Sequence, residues 1–184
     1  MKDQVNVGVI GLGGRGYGLL QTISQLENVR ISAICDRYED RRRKGREFVE
    51  HSGGNPPFCT EDYREILARE DIDAVILSTS WADHLNIAMD AMKSGKYTGM
   101  EVGGAYSVQD CWDLVRTYEE TGVPCMILEN CCYGRKEMMV LNMVKKGLFG
   151  EVIHCEGGYH HDLRDEVAYG RENRHYRLVN YMHR

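Results

Sequence analysis

The stretch Val5-Asn6-Val7-Gly8-Val9-Ile10-Gly11-Leu12-Gly13-Gly14-Arg15-Gly16 decides how the rest of the chain is read. Its first six residues, rich in β-branched side chains, have the make-up of a buried strand. Behind the glycines, Leu19, Leu20, Ile23 and Leu26 repeat at helical spacing. Strand, glycine turn and helix in direct succession satisfy G-x-G-x-x-G through Gly11, Gly13 and Gly16. In that pattern the first glycine permits a tight turn, the second lets a phosphate-bearing ligand approach the backbone, and the third lets the helix pack on the strand. The ligand's phosphates then meet free N–H groups at the positive end of the helix. Glycines alone can simply turn a chain; it is the strand and helix on either side that give these a ligand.

Working outward, a second apolar run near 30 to 35 ends in Cys35-Asp36-Arg37. Asp36 lies about 20 residues beyond the glycines, where a carboxylate accepts hydrogen bonds from an adenosine ribose. Gly11, Gly13, Gly14, Arg15, Gly16 and Asp36 thus form a candidate dinucleotide site, with NAD as the favoured cofactor. The Arg37 guanidinium is able to pair with a 2′-phosphate, which keeps NADP as the alternative. Further strands are expected near 73 to 78, 97 to 101 and 124 to 129. Helices are expected near 15 to 27, 38 to 51, 61 to 69, 82 to 94, 107 to 121 and 135 to 146. Gly95, Gly122 and Gly147 stand where left-handed helix caps belong. Ser52 to Pro57 reads as a loop. The alternation predicts an α/β fold, a Rossmann doubly wound parallel sheet over residues 1–150.

Ligands of such sheets gather at the carboxyl ends of the strands. Three loops fall there, Ser78 to His84, Met100 to Gly104 and Glu129 to Tyr133. On residue type alone, His84 is either a ligand contact or a polar residue of a helix's first turn, and Trp81 either a contact or core. Cys131 and Cys132 read as packing residues rather than nucleophiles. After Gly150, the segment Glu151 to Tyr159 alternates like a strand opening a second sheet. The residues from there to Arg184 are too few to close a core. Residues 151–184 are therefore expected to begin a second domain that is cut short, with an unpaired sheet edge that favours association or a disordered tail.

Hydrophobic residues make up 42% of the 184 and charged ones 28%, a balance that supports a packed core. The net charge of −5 offers no basic field, and the run Arg41 to Lys44 is interleaved with acids, so nucleic acid is not expected as a partner. Seven cysteines show no zinc-like spacing, so no metal is expected and a reduced, cytoplasmic setting is. No signal peptide and no membrane-spanning apolar run are visible.

Taken together, Trp81-x-x-His84, Glu101-Val102, Glu129-Asn130, Gly158-Tyr159-x-His161-Asp162-Leu163-Arg164 and His183-Arg184 make the whole chain resemble the superfamily of glucose-fructose oxidoreductase and inositol dehydrogenase. More narrowly, it resembles glycoside hydrolase family 109, the NAD-dependent α-N-acetylgalactosaminidases, and the superfamily resemblance implies that residues 151–184 are the first part of a truncated α+β substrate domain. The resemblance implies that Gly14, Arg15, Asp36, Trp81, Ala82, Asp83, His84, Glu101, Val102 and Asn130 contact NAD, and that Tyr159 and Arg177 contact the sugar. Dehydrogenases of the superfamily commonly carry Glu-Lys-Pro after the fourth of these strands, the lysine assisting proton transfer. Here that stretch is Glu101-Val102-Gly103, a departure the glycosidases share. The family's Tyr-Pro-Thr-His motif, with its catalytic His and Tyr, would follow His183-Arg184 and is absent. Its chemistry oxidises sugar C3 transiently, eliminates the glycosidic oxygen across C2 and C1, adds water and returns the hydride. His161 is a candidate for assisting proton transfer. The alternatives are a sugar or polyol dehydrogenase, which would accumulate reduced cofactor, and a non-catalytic cofactor-binding fragment. Oligomeric state is left open, a homo-oligomer among the options.

Overall fold

The structure, a computed structural model, describes residues 4–158, 160–164, 174 and 175. Its backbone alternates strands and helices: β1 (Val5–Ile10), α1 (Gly14–Ile23), β2 (Val29–Cys35), α2 (Glu39–His51), β3 (Phe58–Thr60), α3 (Tyr63–Leu67), β4 (Ala74–Leu77), α4 (Trp81–Lys93), β5 (Tyr97–Met100), α5 (Val108–Thr121), β6 (Cys125–Ile127) and α6 (Arg135–Lys145). The strands form one sheet in the order β3-β2-β1-β4-β5-β6, and every pairing is parallel. The order reverses between β1 and β4, the switch point of a doubly wound Rossmann sheet. Five of the six strands lie where the sequence places them.

Strand alternation builds the two faces. Val7 and Val9 of β1 pack with Leu20 of α1 and Val49 of α2 on one side. Ile10 packs with Ile66, Leu77, Leu85 and Ala88 on the other. Leu20, Val9 and Ile66 have no exposed surface, and each full burial of an aliphatic side chain this size stabilises by about 1.5–3 kcal/mol. Gly95, Gly122 and Gly147 each take a positive φ just beyond a helix, as their positions predict.

Three expectations need correction. The strand β3 falls where no strand is read from the sequence: three residues after Pro56-Pro57 carry too little pattern, and it forms because β2 offers a free edge. Helix α1 stops at Ile23 rather than near 27, because the apolar spacing runs through Leu26 while Leu26 itself is exposed. Glu151 to Gly158 forms no strand, and Ile153 is 91% exposed. Backbone donors and acceptors in a strand need a neighbouring ladder, and no strand among the described residues pairs with this segment. The chain divides into two compact units, one running to Leu128 and the other beginning at Glu129. In the second unit α6 exposes Met138, Leu141 and Val144. No described helix is long and apolar enough to cross a membrane.

Candidate dinucleotide site

The glycine loop joins β1 to α1 at the switch point, and its glycines divide the work. Gly11 has φ +92°, and a Cβ there would run into the Ser78 carbonyl; a Cβ on Gly16 would run into the Gly11 carbonyl. These two glycines let loop and helix close on the sheet. A Cβ on Gly13, by contrast, meets only the Arg41 tip at 3.7 Å, and one on Gly14 meets nothing within 4 Å. The space over Gly13 and Gly14 is open, as a diphosphate approaching the backbone requires. Helix α1 begins there with neither a side-chain cap nor an acid in its first turn, so its positive end is unneutralised.

Asp36, at the end of β2, is buried. Leu12 N–H donates to its Oδ2 at 2.7 Å and Tyr38 N–H to its Oδ1 at 2.9 Å. Asp36 therefore fixes the glycine loop against β2, a structural duty that its spacing does not disclose. A carboxylate has about four lone-pair sites, so two bonds leave capacity for ribose hydroxyls. Open backbone, uncapped helix and carboxylate fit a dinucleotide.

The loops after β4 and β5 are tied together through α4. His84 has 1% of its surface exposed. Its Nε2 lies 2.7 Å from the Glu101 carbonyl and its Nδ1 3.0 Å from Thr79 Oγ1. A carbonyl only accepts, so Nε2 carries the proton and Nδ1 accepts from the Thr79 hydroxyl. Burial holds the imidazole below its ordinary pKa, against the opposing pull of the hydrogen bonds to the Glu101 and Thr79 positions and of the Glu101 charge. Trp81 Nε1 donates to the Val102 carbonyl at 3.1 Å. Gly103 and Gly104, at φ +106° and +102°, lie against these two rings: a Cβ on Gly103 would overlap the indole, and one on Gly104 would come within 2.8 Å of His84 Cβ. Glu101 accepts from Arg15 Nε at 2.8 Å, linking the β5 end to the first turn of α1. Opposite charge on Glu101 offsets a cation placed at the positive end of a helix.

The structure thus brings Gly11 to Gly16, Asp36, Trp81, Ala82, Asp83, His84, Glu101 and Val102 to the carboxyl end of one sheet. Asn130 is exposed and belongs to the second unit. His161 is exposed there, and Asp162 accepts from Arg164 Nη2 at 2.6 Å, which holds its carboxyl below the usual range. Tyr159 and Arg177 lie outside the described residues. Sequence reasoning missed Thr79 as the partner of His84 and the packing role of Gly103-Gly104; a glycine pair just after a strand was the available signal.

A parallel sheet wound on both faces, with a glycine loop at its switch point and an acid closing its second strand, defines a dinucleotide-binding domain. The chain belongs to the oxidoreductase family with the NAD-binding Rossmann fold, which its residues 5–129 match. Residues 133–179 match the C-terminal domain of glycosyl hydrolase 109. A glycosyl hydrolase family 109 protein of Solibacter usitatus (strain Ellin6076) is 45% identical over 166 residues, covering 87% of this chain and 38% of that protein. Family 109 protein 2 of Shewanella sp. (strain ANA-3) is also 45% identical, over 88% of this chain and 36% of its own length. The chain therefore spans little more than a third of these relatives. Among solved structures, scyllo-inositol dehydrogenase from Lactobacillus casei superposes with a TM-score of 0.73 at 16% identity, over 82% of this chain and 44% of that one. A 3-ketoreductase variant from Actinomadura kijaniata, in complex with TDP-benzene and NADP, gives 0.67 at 25% identity, over 81% and 46%.

Proposed function

We propose that the chain is the cofactor-holding part of an NAD-dependent glycosidase that acts on an α-linked N-acetylhexosamine, an N-acetylgalactosaminide, by transient C3 oxidation, elimination and addition of water. In this reading residues 1–150 serve as the cofactor domain and 151–184 open the substrate domain. The observation that carries it is the loop after β5. Oxidation of an alcohol, net or transient, needs a group to take the hydroxyl proton; the dehydrogenases use the lysine of this loop, whereas in the glycosidases that lack it the proton would pass to the catalytic His or Tyr of the Tyr-Pro-Thr-His motif. Val102 stands where the dehydrogenases' lysine is expected, the Arg15 guanidinium does not deprotonate, and both nitrogens of His84 are engaged. The similarity to family 109 proteins supports the same reading.

Gly13, Gly14 and Arg15 would hold the diphosphate and Asp36 the adenosine ribose, with Trp81 to His84, Glu101, Val102 and Asn130 completing the cofactor contacts. The Asp36 carboxylate favours a ribose hydroxyl over a 2′-phosphate, hence NAD over NADP. NAD, when bound, supplies a hydride acceptor for sugar C3 and returns the hydride at the end. Tyr159 and Arg177 would orient the sugar, and His161 would assist proton transfer at C2.

In the protein extended to the length of its relatives, 4-nitrophenyl α-N-acetylgalactosaminide in deuterated water is expected to release nitrophenol with deuterium at C2 and no net NADH. Product formed with stoichiometric NADH would instead show a dehydrogenase, and release without deuterium at C2 would exclude elimination.

A further inference from the structure

Arg37 and Arg41 follow Asp36, the carboxylate at the end of β2, in the chain. Arg41 Nη1 lies 3.7 Å from Asp36 Oδ2, and its guanidinium sits 4.8 Å over the Tyr38 ring. Arg37 turns the other way, placing Nη2 3.8 Å from Asp83 Oδ2 in the first turn of α4. Ser80 Oγ donates to the same Asp83 oxygen at 3.0 Å, and the positive end of α4 favours a carboxylate there. The pair therefore joins the loop after β2 to the loop after β4, with β1 and its glycine loop between them in the sheet.

We propose that Asp83 is a specificity-determining residue: by engaging Arg37 it withholds that guanidinium from the 2′-phosphate of NADP and so sharpens the preference for NAD. The inference rests on the NAD site proposed above. An arginine beside the ribose-binding carboxylate is the residue type that accommodates a 2′-phosphate, because its planar fork matches phosphate oxygens and offsets the repulsion from the acid. This chain has the arginine, and the structure assigns it a competing anion. Asp36 sets the first level of discrimination by its own charge; Asp83 adds a second by occupying the cation that would relieve it. Arg37 is 73% and Asp83 53% exposed at the side chain, so the pair is weak and exchangeable and its effect is a few-fold one.

The test is calorimetric binding of NAD and of NADP to the chain, Asp83→Asn, Arg37→Gln and the double variant, with circular dichroism melts to verify folding. Asp83→Asn is expected to tighten NADP relative to NAD by about two- to fivefold, the size of an exposed ion pair. The gain should vanish when Arg37→Gln is added, and shrink at high salt. Equal shifts for both nucleotides, or a gain that survives Arg37→Gln, would overturn the proposal. Binding of neither nucleotide by the unaltered chain would overturn the dinucleotide site itself, and the proposal with it.

Discussion

His84 stands between two loops with both ring nitrogens satisfied, and its charge state follows from that burial. An unfolded imidazole titrates near about 6.5, and burial depresses the folded value. Between the two values the unfolded chain binds more protons, so stability rises with pH. The contribution is complete above about pH 6.5 and is lost as pH falls toward the folded value. Between pH 7.5 and 5.5, His84→Gln should lose less melting temperature than the unaltered chain, by about 2–4 °C; parallel curves would refute the burial argument. Lys96 offers a second case. It is buried, and its Nζ donates to the carbonyls of Arg69 at 2.6 Å and Ile72 at 2.9 Å. Lys96→Met strands both acceptors and should cost about 2 kcal/mol or more in urea unfolding. The sequence made Asp36 and the glycines readable because backbone geometry restricts what stands there. It left Thr79 and Lys96 silent, since their partners are backbone or side-chain atoms brought in by the fold.

Helix α5 shows how much an element owes to its ends. Ser107 accepts from Asp110 N–H at 3.1 Å while Asp110 accepts from Ser107 N–H at 2.9 Å, a reciprocal capping box. Gly122 closes the other end in the left-handed region. Ser107→Ala should destabilise by about 1 kcal/mol, and Gly122→Ala by about 1–2 kcal/mol, both read from thermal melts followed by helical circular dichroism. Elements with strong periodicity and caps were legible within a few residues. Where legibility failed, pairing decided the outcome: β3 has three residues and exists because β2 receives it, while Glu151 to Gly158 has the alternation and no ladder.

At the scale of the molecule, the described residues proposed to hold the cofactor, Asn130 apart, lie in the unit that runs to Leu128. NAD at a hundred times its dissociation constant should stabilise that unit by about 2.7 kcal/mol. In hydrogen exchange, the gain in amide protection should fall on residues up to Leu128, above all on Gly13 to Gly16 and on 79–84; uniform protection or none would refute the placement. The Trp81 ring pressed on Gly103 limits which changes the loop after β5 can accept. Val102 is held by its carbonyl while its side chain stays free, so a lysine could be acquired there without disturbing the loop. A proline after it could not: φ at position 103 is +106°, and proline is confined to about −65°. A Gly103→Pro change would therefore need a rearranged loop and a displaced Trp81 ring together, so this turn accepts a new side chain at position 102 but not a new backbone at position 103.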